Sequence, residues 1–191
     1  MQARSNKNVQ GIDVSHHQGT INWCKVAADG IDFAYIKATQ NSMDNMFLKN
    51  VAAAKGAGVL VGAYHFLDKS VTTVALAKAA AAELNVAIKE AGGVLVFDLP
   101  PALDYEVIGG ITTAQVNNIA KAFLSEIKRL TGVTPIIYTG NSFAEKFDLE
   151  VGEYFVWIAR YGTVVPWDVK AWREWTIWQY SDGSSGGTRS S

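Results

Sequence analysis

The chain has 191 residues, of which 49% are hydrophobic and 18% charged, and its formal net charge is -1. This length suits one large domain or two small ones with enough apolar material for a core. The near-zero charge argues against nucleic-acid or membrane-surface binding, because both depend on clustered Lys and Arg side chains. No apolar run reaches the roughly 20 residues of a membrane span, so membrane insertion is not expected.

The two ends of the chain and its single cysteine indicate where the protein is made and how its domain is delimited. The opening MQARSNKNVQ lacks the apolar centre of a secretory signal, so synthesis in the cytoplasm is expected. Cys24 excludes an internal disulfide, and its amphipathic surroundings predict a buried structural thiol. We expect one domain over residues 1–181, followed by a Gly/Ser-rich tail over residues 182–191 with the composition of a linker.

Seven apolar, β-rich runs predict strands in chain order. Their near-continuous apolar content is typical of a mainly parallel sheet or barrel that is buried on both faces. They are GIDVS (11–15), FAYIKAT (33–39), VLVGAYHF (59–66), PALDYE (101–106), TPIIYTG (134–140), YFVWIARYG (154–162) and WTIWQYS (175–181).

Three stretches between these runs predict helices. Residues 46–58 and 72–93 are alanine-rich and end at glycines, whereas residues 112–132 begin with a threonine cap and end with basic residues and glycine. After Tyr138 the predicted helices become short while strands continue. The later part of the barrel is therefore expected to consist of strands with little helix between them.

Residues that follow or end parallel barrel strands are candidates for function, because functional residues gather at the C-terminal ends of such strands. This rule nominates nine residues, which are Asp13, Lys37, Tyr64, His65, Asp104, Glu106, Tyr138, Arg160 and Gln179.

The carboxylates of PALDYE are the most informative of these candidates. If the segment is a strand, Asp104 and Glu106 point the same way with stems about 6–7 Å apart. Repulsion among them and Asp13, with partial desolvation, should raise at least one pKa and leave a protonated acid beside an ionised one. Glycoside cleavage needs such a pair. The alternative is that Asp104 is a capping or salt-bridged residue and Glu106 a solvated strand end.

Tryptophans crowd the last quarter of the chain, and aromatic rings commonly line pockets for sugars. Trp157 and Trp175 lie at predicted strand positions, which favours the core. Trp167 and Trp172 lie in a loop-like stretch near Pro166 and are better candidates for a substrate wall.

Other chemistries find no support in the sequence. The three histidines match no metal-binding pattern, so no metal and no cofactor are expected. The glycine spacing fits neither a phosphate-binding loop nor a dinucleotide fingerprint. A Ser–His–Asp hydrolase is disfavoured because no G-x-S-x-G motif occurs.

Seven segments of the chain occur in a recognisable order: GIDVSHHQGTINW, FAYIKAT, GVLVGAYHF, PALDYE, PIIYTG, VWIARYG and WTIWQYS. Over about residues 10–181 they resemble glycoside hydrolase family 25, the N,O-diacetylmuramidases or Chalaropsis-type lysozymes. The resemblance implies an α/β fold, an irregular TIM-like (β/α)5(β)3 barrel. It also implies hydrolysis of the β-1,4 bond between N-acetylmuramic acid and N-acetylglucosamine.

The resemblance also implies roles for individual residues. Glu106 matches the general acid, Asp104 its partner, which orients the acetamido group of the substrate or stabilises charge, and Asp13 the first-strand aspartate. The substrate-binding residues implied by position are Tyr64, Tyr138, Lys37, Gln40, Trp157 and Gln179.

Two departures from the family pattern stand out. The family often reads KATEG where this chain has KATQN, so Gln40 replaces an acid. The family usually continues past WQY to a final strand that carries another aspartate, and Asp182 is the nearby substitute although it does not match that motif. Since the tail offers no apolar eighth strand, we expect an incomplete or weakly closed barrel.

Three functional hypotheses follow from these features. The first is a muramidase that acts on bacterial cell-wall peptidoglycan as a monomeric catalytic module, either as a phage endolysin released through a holin or as a fragment of an exported autolysin. The second is a chitinase-like enzyme, since family 18 also carries a D-x-E pair, although its longer D-x-x-D-x-D-x-E run is absent here. The third is a wall-binding module with a weakened site.

Overall fold

Seven parallel strands, hydrogen-bonded in chain order, form the framework of the protein in a computed structural model that describes residues 1–183. All seven predicted strands are present, each shorter than or equal to its predicted run. They are β1 (Gly11–Val14), β2 (Phe33–Thr39), β3 (Leu60–Phe66), β4 (Ala102–Asp104), β5 (Ile136–Gly140), β6 (Val156–Ala159) and β7 (Ile177–Gln179). The α/β fold class and the parallel sheet are thereby confirmed.

Four α-helices cover the outer face of the sheet, one after each of the first four strands. They are α1 (Trp23–Ala28), α2 (Phe47–Gly56), α3 (Val74–Glu90) and α4 (Thr113–Thr131). After β5 the described connections contain only 3₁₀ turns, at Phe143–Lys146 and Val151–Glu153. No helix of the described chain is both long and apolar enough to cross a membrane.

The connection after β5 differs from the fifth β/α unit that the resemblance implies. This connection packs tightly, because a Cβ added at Gly152 would lie 2.5 Å from the carbonyl oxygen of Ala171. The expectation of short helices after Tyr138 is confirmed.

The longest helix begins and ends where its sequence signals place it. The Thr112 hydroxyl accepts a hydrogen bond from the Gln115 N–H, and the Gln115 side chain accepts one from the Thr112 N–H. Gly132, with a φ of 74°, ends the helix in the left-handed conformation that glycine adopts without a Cβ penalty. These contacts satisfy backbone groups that a bare helix end would leave unpaired.

Each face of the sheet contributes to a separate apolar cluster. Residues that point outward pack against the helices, and this larger cluster includes Leu103, Phe123 and Ile158. Residues that point into the concave face form a smaller, aromatic-rich cluster of Tyr35, Ala102, Ile136, Tyr138, Trp157 and Ala159. The near-continuous apolar strands therefore reflect burial on both faces, as the sequence predicts.

Gly62 allows this inner cluster to pack, because an added Cβ would lie 2.4 Å from a ring carbon of Tyr35. Tyr35 is 1% exposed and stacks on Trp157, so its ring has no room to retreat. We therefore expect Gly62→Ala to lower the free energy of unfolding by about 1–3 kcal/mol through overpacking. Urea unfolding measures the change. Gly56→Ala, where an added Cβ meets nothing within 4 Å, is the matched control.

The two edge strands of the described sheet, β1 and β7, approach each other through side chains, so the sheet curls into a half-barrel. At this seam the Gln179 amide donates to Asp13 at 2.7 Å, and the Tyr180 hydroxyl donates to Gln10 at 2.9 Å. The described residues form seven strands without backbone pairing between β1 and β7, which agrees with the expected incomplete barrel. Any contribution of the tail to closure lies outside the description from residue 184 onward.

The first residues of the chain cover this seam from outside. The Gln2 side chain donates to the Trp175 carbonyl at 2.7 Å and accepts from the Trp175 N–H at 3.0 Å. The Arg4 guanidinium lies 5.6 Å from the ring centre of Trp178 and 4.5 Å from that of Tyr180. The polar N-terminal stretch therefore has a structural role that its composition does not indicate.

The prediction of a buried structural thiol at Cys24 is wrong, because Cys24 is exposed. Adjacent residues on a helix point about 100° apart. In the six-residue helix α1 the buried direction belongs to Trp23, whose indole N–H donates to Asn50 at 3.3 Å. Cys24 consequently faces solvent.

Candidate active site

The C-terminal ends of the strands bring most of the predicted site residues to one end of the half-barrel. The strand register sets Lys37 opposite Tyr64, and Asp104 opposite Tyr138. Alternate residues of a strand share a face, and these side chains share the concave face with Asp13. We call the space they enclose the cleft.

A chain of hydrogen bonds fixes Asp13 across the seam. The Tyr138 hydroxyl donates to Gln179 Oε1 at 2.8 Å, and Gln179 Nε2 donates to Asp13 Oδ2 at 2.7 Å. The two contacts fix the orientation of the amide and leave Asp13 as the acceptor at the end of the chain. Burial raises the pKa of Asp13, and the hydrogen bond from Gln179 opposes that rise.

Asp104, the last residue of β4, is the most strongly perturbed carboxyl group in the cleft. It is 7% exposed, and its Oδ1 has no hydrogen-bond partner among the described residues. Burial raises its pKa well above the usual range, the charges of Glu106 and Asp13 raise it further, and Lys37 opposes them. Asp104 is thus neither a helix cap nor half of a salt bridge in the described chain, which disfavours the structural alternative.

Glu106 does not lie on the strand with Asp104, and the premise that both belong to one strand is wrong. The β4–β5 ladder ends at Asp104, although the Tyr105 N–H still donates to the Tyr138 carbonyl at 3.0 Å. Tyr105 packs outward against Phe143 and Phe147 and holds the backbone in place. Glu106 is exposed at the mouth of the cleft.

The charge of Glu106 nevertheless acts on the other cleft residues. It raises the pKa of Asp104 and of Tyr138, so its carboxylate lies over the same space. Partial desolvation raises the pKa of Glu106 itself, and the charge of Asp13 raises it further. The cleft therefore combines the exposed Glu106 with the half-buried Asp13 and the buried Asp104, and all three favour protonation at a higher pH than ordinary carboxyl groups.

Lys37 supplies the positive charge of the cleft. It is buried, its ammonium contacts Gln40 Oε1, and it lies 5.2 Å from the centre of the Phe66 ring. No carboxylate pairs with it within salt-bridge distance in residues 1–183. The charge of Lys37 acts on Asp104 and lowers its pKa.

The residue after Gln40 adopts a backbone conformation that is uncommon for residues other than glycine. Asn41 has a φ of 58°, which is the left-handed region. Asparagine tolerates this conformation better than most residues that carry a Cβ.

Stacked aromatic rings form the floor of the cleft. Trp157 is 4% exposed, and its ring centre lies 4.8 Å from Tyr35, 4.7 Å from Tyr138 and 6.4 Å from Tyr64. The core position predicted for Trp157 is confirmed. A direct substrate contact by Trp157 stays a prediction, as it does for Tyr64 and Tyr138.

The remaining tryptophans divide differently from the prediction. Trp172 is buried, donates its indole N–H to the Tyr154 carbonyl at 2.8 Å and packs on Phe147, so its assignment to a substrate wall is wrong. Trp175 precedes β7 and is only partly buried. Trp167 is 39% exposed, which suits a wall.

Two nominated residues lie apart from the cleft or at its margin. His65 points outward from β3, where its ring packs on Phe123 and its Nδ1 shares a 2.7 Å hydrogen bond with the Thr39 hydroxyl. Burial lowers the pKa of His65 to about 3, and the charge of Lys37 contributes to this decrease. It is a neutral structural residue. Asp182 is exposed, and its charge contributes to the raised pKa of Tyr161, so its role stays a prediction.

Tyr161 is a cleft residue that the sequence reasoning missed. Its hydroxyl is hydrogen-bonded to Tyr138. Partial burial raises the pKa of Tyr161, the charges of Glu106 and Asp13 raise it further, and the hydrogen bond with Tyr138 opposes this rise. It follows the nominated Arg160 directly, so the motif ARYG contains the signal. The alternation of strand residues ends at Ala159, however, and cannot tell which of the two turns inward.

One of the two histidines at the end of β1 forms a hydrogen bond with a buried aspartate. His16 Nδ1 lies 2.6 Å from Asp44 Oδ2. Burial raises the pKa of Asp44, but hydrogen bonds from His16 and from the Met46 N–H outweigh it and lower the pKa overall. Among the described residues no group of three or more His, Cys, Asp or Glu side chains is placed to hold a metal ion.

Comparisons with known proteins agree with this geometry. The profile of glycosyl hydrolases family 25 matches residues 12–187. The chain is 34% identical to Lysozyme M1 of Streptomyces globisporus over 187 residues, which cover 91% of this chain and 62% of that protein. It is 28% identical to the N,O-diacetylmuramidase of Chalaropsis sp., covering 88% of that protein. The chain thus spans less than two thirds of the Streptomyces globisporus protein.

A solved structure gives the same result at the level of the fold. The bacterial lysozyme from Streptomyces coelicolor superposes with a TM-score of 0.78 at 33% identity, covering 96% of this chain and 88% of that one. The match includes the irregular TIM-like barrel that the sequence resemblance implies. Together with the profile match over most of its length, this shows that the chain belongs to glycoside hydrolase family 25.

Proposed function

We propose that the protein is a muramidase that hydrolyses the β-1,4 bond between N-acetylmuramic acid and N-acetylglucosamine in bacterial peptidoglycan. Family membership supports a glycoside hydrolase, and the names of the two related proteins support this substrate. The observation that carries the proposal is the coupling of Asp104, Glu106 and Asp13, because glycoside cleavage requires an acid and an anion on opposite sides of the reacting bond.

Glu106 is the general acid in this proposal. It is the exposed member of the three, so a glycosidic oxygen can approach it, and its raised pKa keeps it protonated at a higher pH than an ordinary glutamic acid. Proton donation to the leaving oxygen prevents an alkoxide from forming as the bond breaks.

Asp104 orients the acetamido group of the sugar. Its buried Oδ1, which has no partner in the described chain, accepts the acetamido N–H, and the acetamido oxygen then attacks the anomeric carbon. The bond to the leaving oxygen breaks as Glu106 protonates it. Water subsequently opens the cyclic intermediate and gives a product of retained configuration.

Asp13 and the other cleft residues support these two steps. The Asp13 carboxylate, held by Gln179, stabilises the positive charge that develops on the sugar. Lys37, held by Gln40, opposes the rise in the pKa of Asp104. Tyr64, Tyr138 and Trp157 provide the aromatic surface beneath the sugar.

Purified walls of Gram-positive bacteria distinguish this function from the two alternatives. We expect the protein to clear wall suspensions and release reducing ends that carry muramic acid, while chitin oligomers remain intact. Cleavage of chitin oligomers with no release from walls would favour the chitinase-like enzyme instead. Sedimentation with walls without any new reducing ends would identify a binding module.

A comparison of the pH profiles of kcat/KM for the wild-type protein and Asp13→Asn tests whether the charge of Asp13 raises the pKa of Glu106. Because the charge of Asp13 raises the pKa of Glu106, Asp13→Asn should lower that pKa. The general acid would then lose its proton at a lower pH, so the alkaline limb of kcat/KM should move toward acid. The limb position is independent of the height of the profile, which Asp13→Asn also lowers. An unchanged limb would contradict the proposed coupling.

A further inference from the structure

An arginine stacked on an exposed tryptophan lies at the edge of the cleft, and we call Arg160 and Trp167 the rim pair. The guanidinium carbon of Arg160 lies 4.5 Å from the ring centre of Trp167, and its Nε–H donates to the Val164 carbonyl at 3.0 Å. Both contacts fix the plane of the guanidinium group. Arg160 is half-buried, whereas Trp167 is 39% exposed.

The other half of the rim pair is held just as firmly. The Trp167 N–H donates to Asn141 Oδ1 at 2.9 Å, the Asn141 amide donates to the Trp167 carbonyl at 3.2 Å, and the indole N–H donates to Glu145 at 3.0 Å. The ring is therefore positioned by residues that follow β5, while Arg160 follows β6. Two neighbouring strand ends build one preorganised surface.

Arg160 lacks the carboxylate partner that two other arginines of the protein have. Arg129 pairs with Glu126 and Arg173 pairs with Asp168, but Arg160 has no carboxylate within salt-bridge distance in the described part of the chain. Its Nη groups have no hydrogen-bond partner among residues 1–183 either, since only Nε donates, to the Val164 carbonyl. A flat guanidinium with free Nη groups matches the two oxygens of a carboxylate.

The rim pair borders the cleft directly. The Arg160 N–H donates to the Gln179 carbonyl at 3.1 Å, and the next residue, Tyr161, is hydrogen-bonded to Tyr138. Three carboxyl groups line the cleft, so a negatively charged part of a substrate is repelled there and attracted to the rim. An anionic substituent of a bound glycan thus finds its favourable position outside the cleft, next to Arg160.

We propose that the rim pair binds a carboxylate carried by the O3 substituent of muramic acid, with Arg160 as the ligand and Trp167 as its support. This inference rests on the proposed muramidase function and adds a determinant of specificity to it. Chitin carries no carboxylate and gains nothing from Arg160. The carboxylate belongs either to the lactyl group of an unsubstituted muramic acid or to the peptide stem attached to it.

Three substrates separate these sources. Intact walls carry stem carboxylates, walls whose stem carboxylates have been converted to methylamides carry none, and strands stripped of their stems by an amidase carry lactyl carboxylates. Arg160→Gln removes the charge, and Arg160→Lys keeps it without the planar fork. Arg129→Gln removes the same charge from an exposed pair on α4 and is the matched control. Reducing-end release gives kcat and KM, and sedimentation with walls gives binding.

We expect Arg160→Gln to raise KM about tenfold, the size typical of a hydrogen bond to a charged group, with kcat little changed. Arg160→Lys should recover only part of this loss, and Arg129→Gln should match wild type. A loss on intact walls assigns the stem carboxylate, and a loss on stripped strands assigns the lactyl carboxylate. No loss on either substrate, or an equal loss on methylamide walls, overturns the inference.

Binding measurements keep this result separate from the proposed function. Walls that bind in an Arg160-dependent way but are never cleaved would reject the muramidase function and retain the rim site. Cleavage that is indifferent to Arg160 would retain the muramidase function and reject the rim site.

Discussion

Glu106→Gln is expected to lower kcat on peptidoglycan by about 10²–10⁴-fold, the usual contribution of general acid catalysis. The amide matches the carboxyl group in shape but has no acidic proton to give to the leaving oxygen. KM should change little, because Glu106 is exposed at the mouth and its side chain makes no hydrogen bond within residues 1–183 that the substitution would break. Reducing-end release from purified walls measures the loss.

The control for this prediction is Glu174→Gln, which makes the same chemical change at an exposed position before β7. It should retain wild-type kcat. Residual activity above roughly a tenth of wild type in Glu106→Gln would reject Glu106 as the general acid, since even the low end of the expected effect is larger.

The stability of Glu106→Gln should equal or exceed that of wild type at neutral pH. Its carboxyl group has a raised pKa in the folded state, so the folded protein binds this proton more tightly than the unfolded chain. The folded state therefore loses stability as pH rises through the range between the two pKa values. Glutamine cannot ionise, so Glu106→Gln avoids that loss of stability. The difference in Tm between Glu106→Gln and wild type should vanish in acid, where Glu106 is protonated in both the folded and the unfolded state.

Asp104→Asn is expected to reduce kcat far more than substrate binding. The acetamido group would no longer be held for attack, and its N–H would meet an amide that can present a donor instead of an acceptor. A loss confined to the reacting state lowers kcat and kcat/KM together and leaves KM nearly unchanged. Steady-state kinetics on soluble glycan strands would show this pattern.

The anomeric configuration of the first product provides a second test of attack by the acetamido oxygen. Attack by the acetamido oxygen followed by water retains the configuration, whereas direct attack by water inverts it. NMR during early turnover, before mutarotation, distinguishes the two. An inverted product from the wild-type protein would rule out the role proposed for Asp104.

Stability provides a check on Asp104→Asn that is independent of turnover. Asp104 is buried, and its pKa is raised by burial and then by Glu106 and Asp13. Stability conferred by its protonated form is present below the unfolded pKa and lost as pH rises through the folded pKa. Asparagine should therefore stabilise the protein at neutral pH, with the advantage gone near about pH 3, below the ordinary pKa of aspartic acid.

Sequence patterns with a regular period predicted the framework well. Apolar runs located all seven strands, and Thr112 and Gly132 located the ends of α4, because these signals depend on local backbone geometry. The electrostatic coupling of Asp104 and Glu106 was also accessible, since a spacing of two residues keeps the groups near each other whether or not the strand continues.

The failures concern features that depend on distant parts of the chain. The end of β4 at Asp104 is set by its pairing with β5, which PALDYE does not contain. Trp172 is buried by Phe147 and by the Tyr154 carbonyl, and no period exists in a loop to show it. Cys24 faces solvent because Trp23 takes the buried side of a very short helix.

The seam has a consequence for how the chain acquires its fold. Each strand pairs with the strand made just before it, so the sheet can grow in step with synthesis from the ribosome. The contacts of Gln2 with Trp175 span 173 residues and must wait until β7 has emerged. Until then the outer edge of β1 lacks the side-chain contacts of the seam and the cover of the first residues, and an exposed strand edge is the kind of surface through which nascent chains associate. Seam closure is therefore the last folding step, and the interval before it is when the nascent protein is most prone to aggregate.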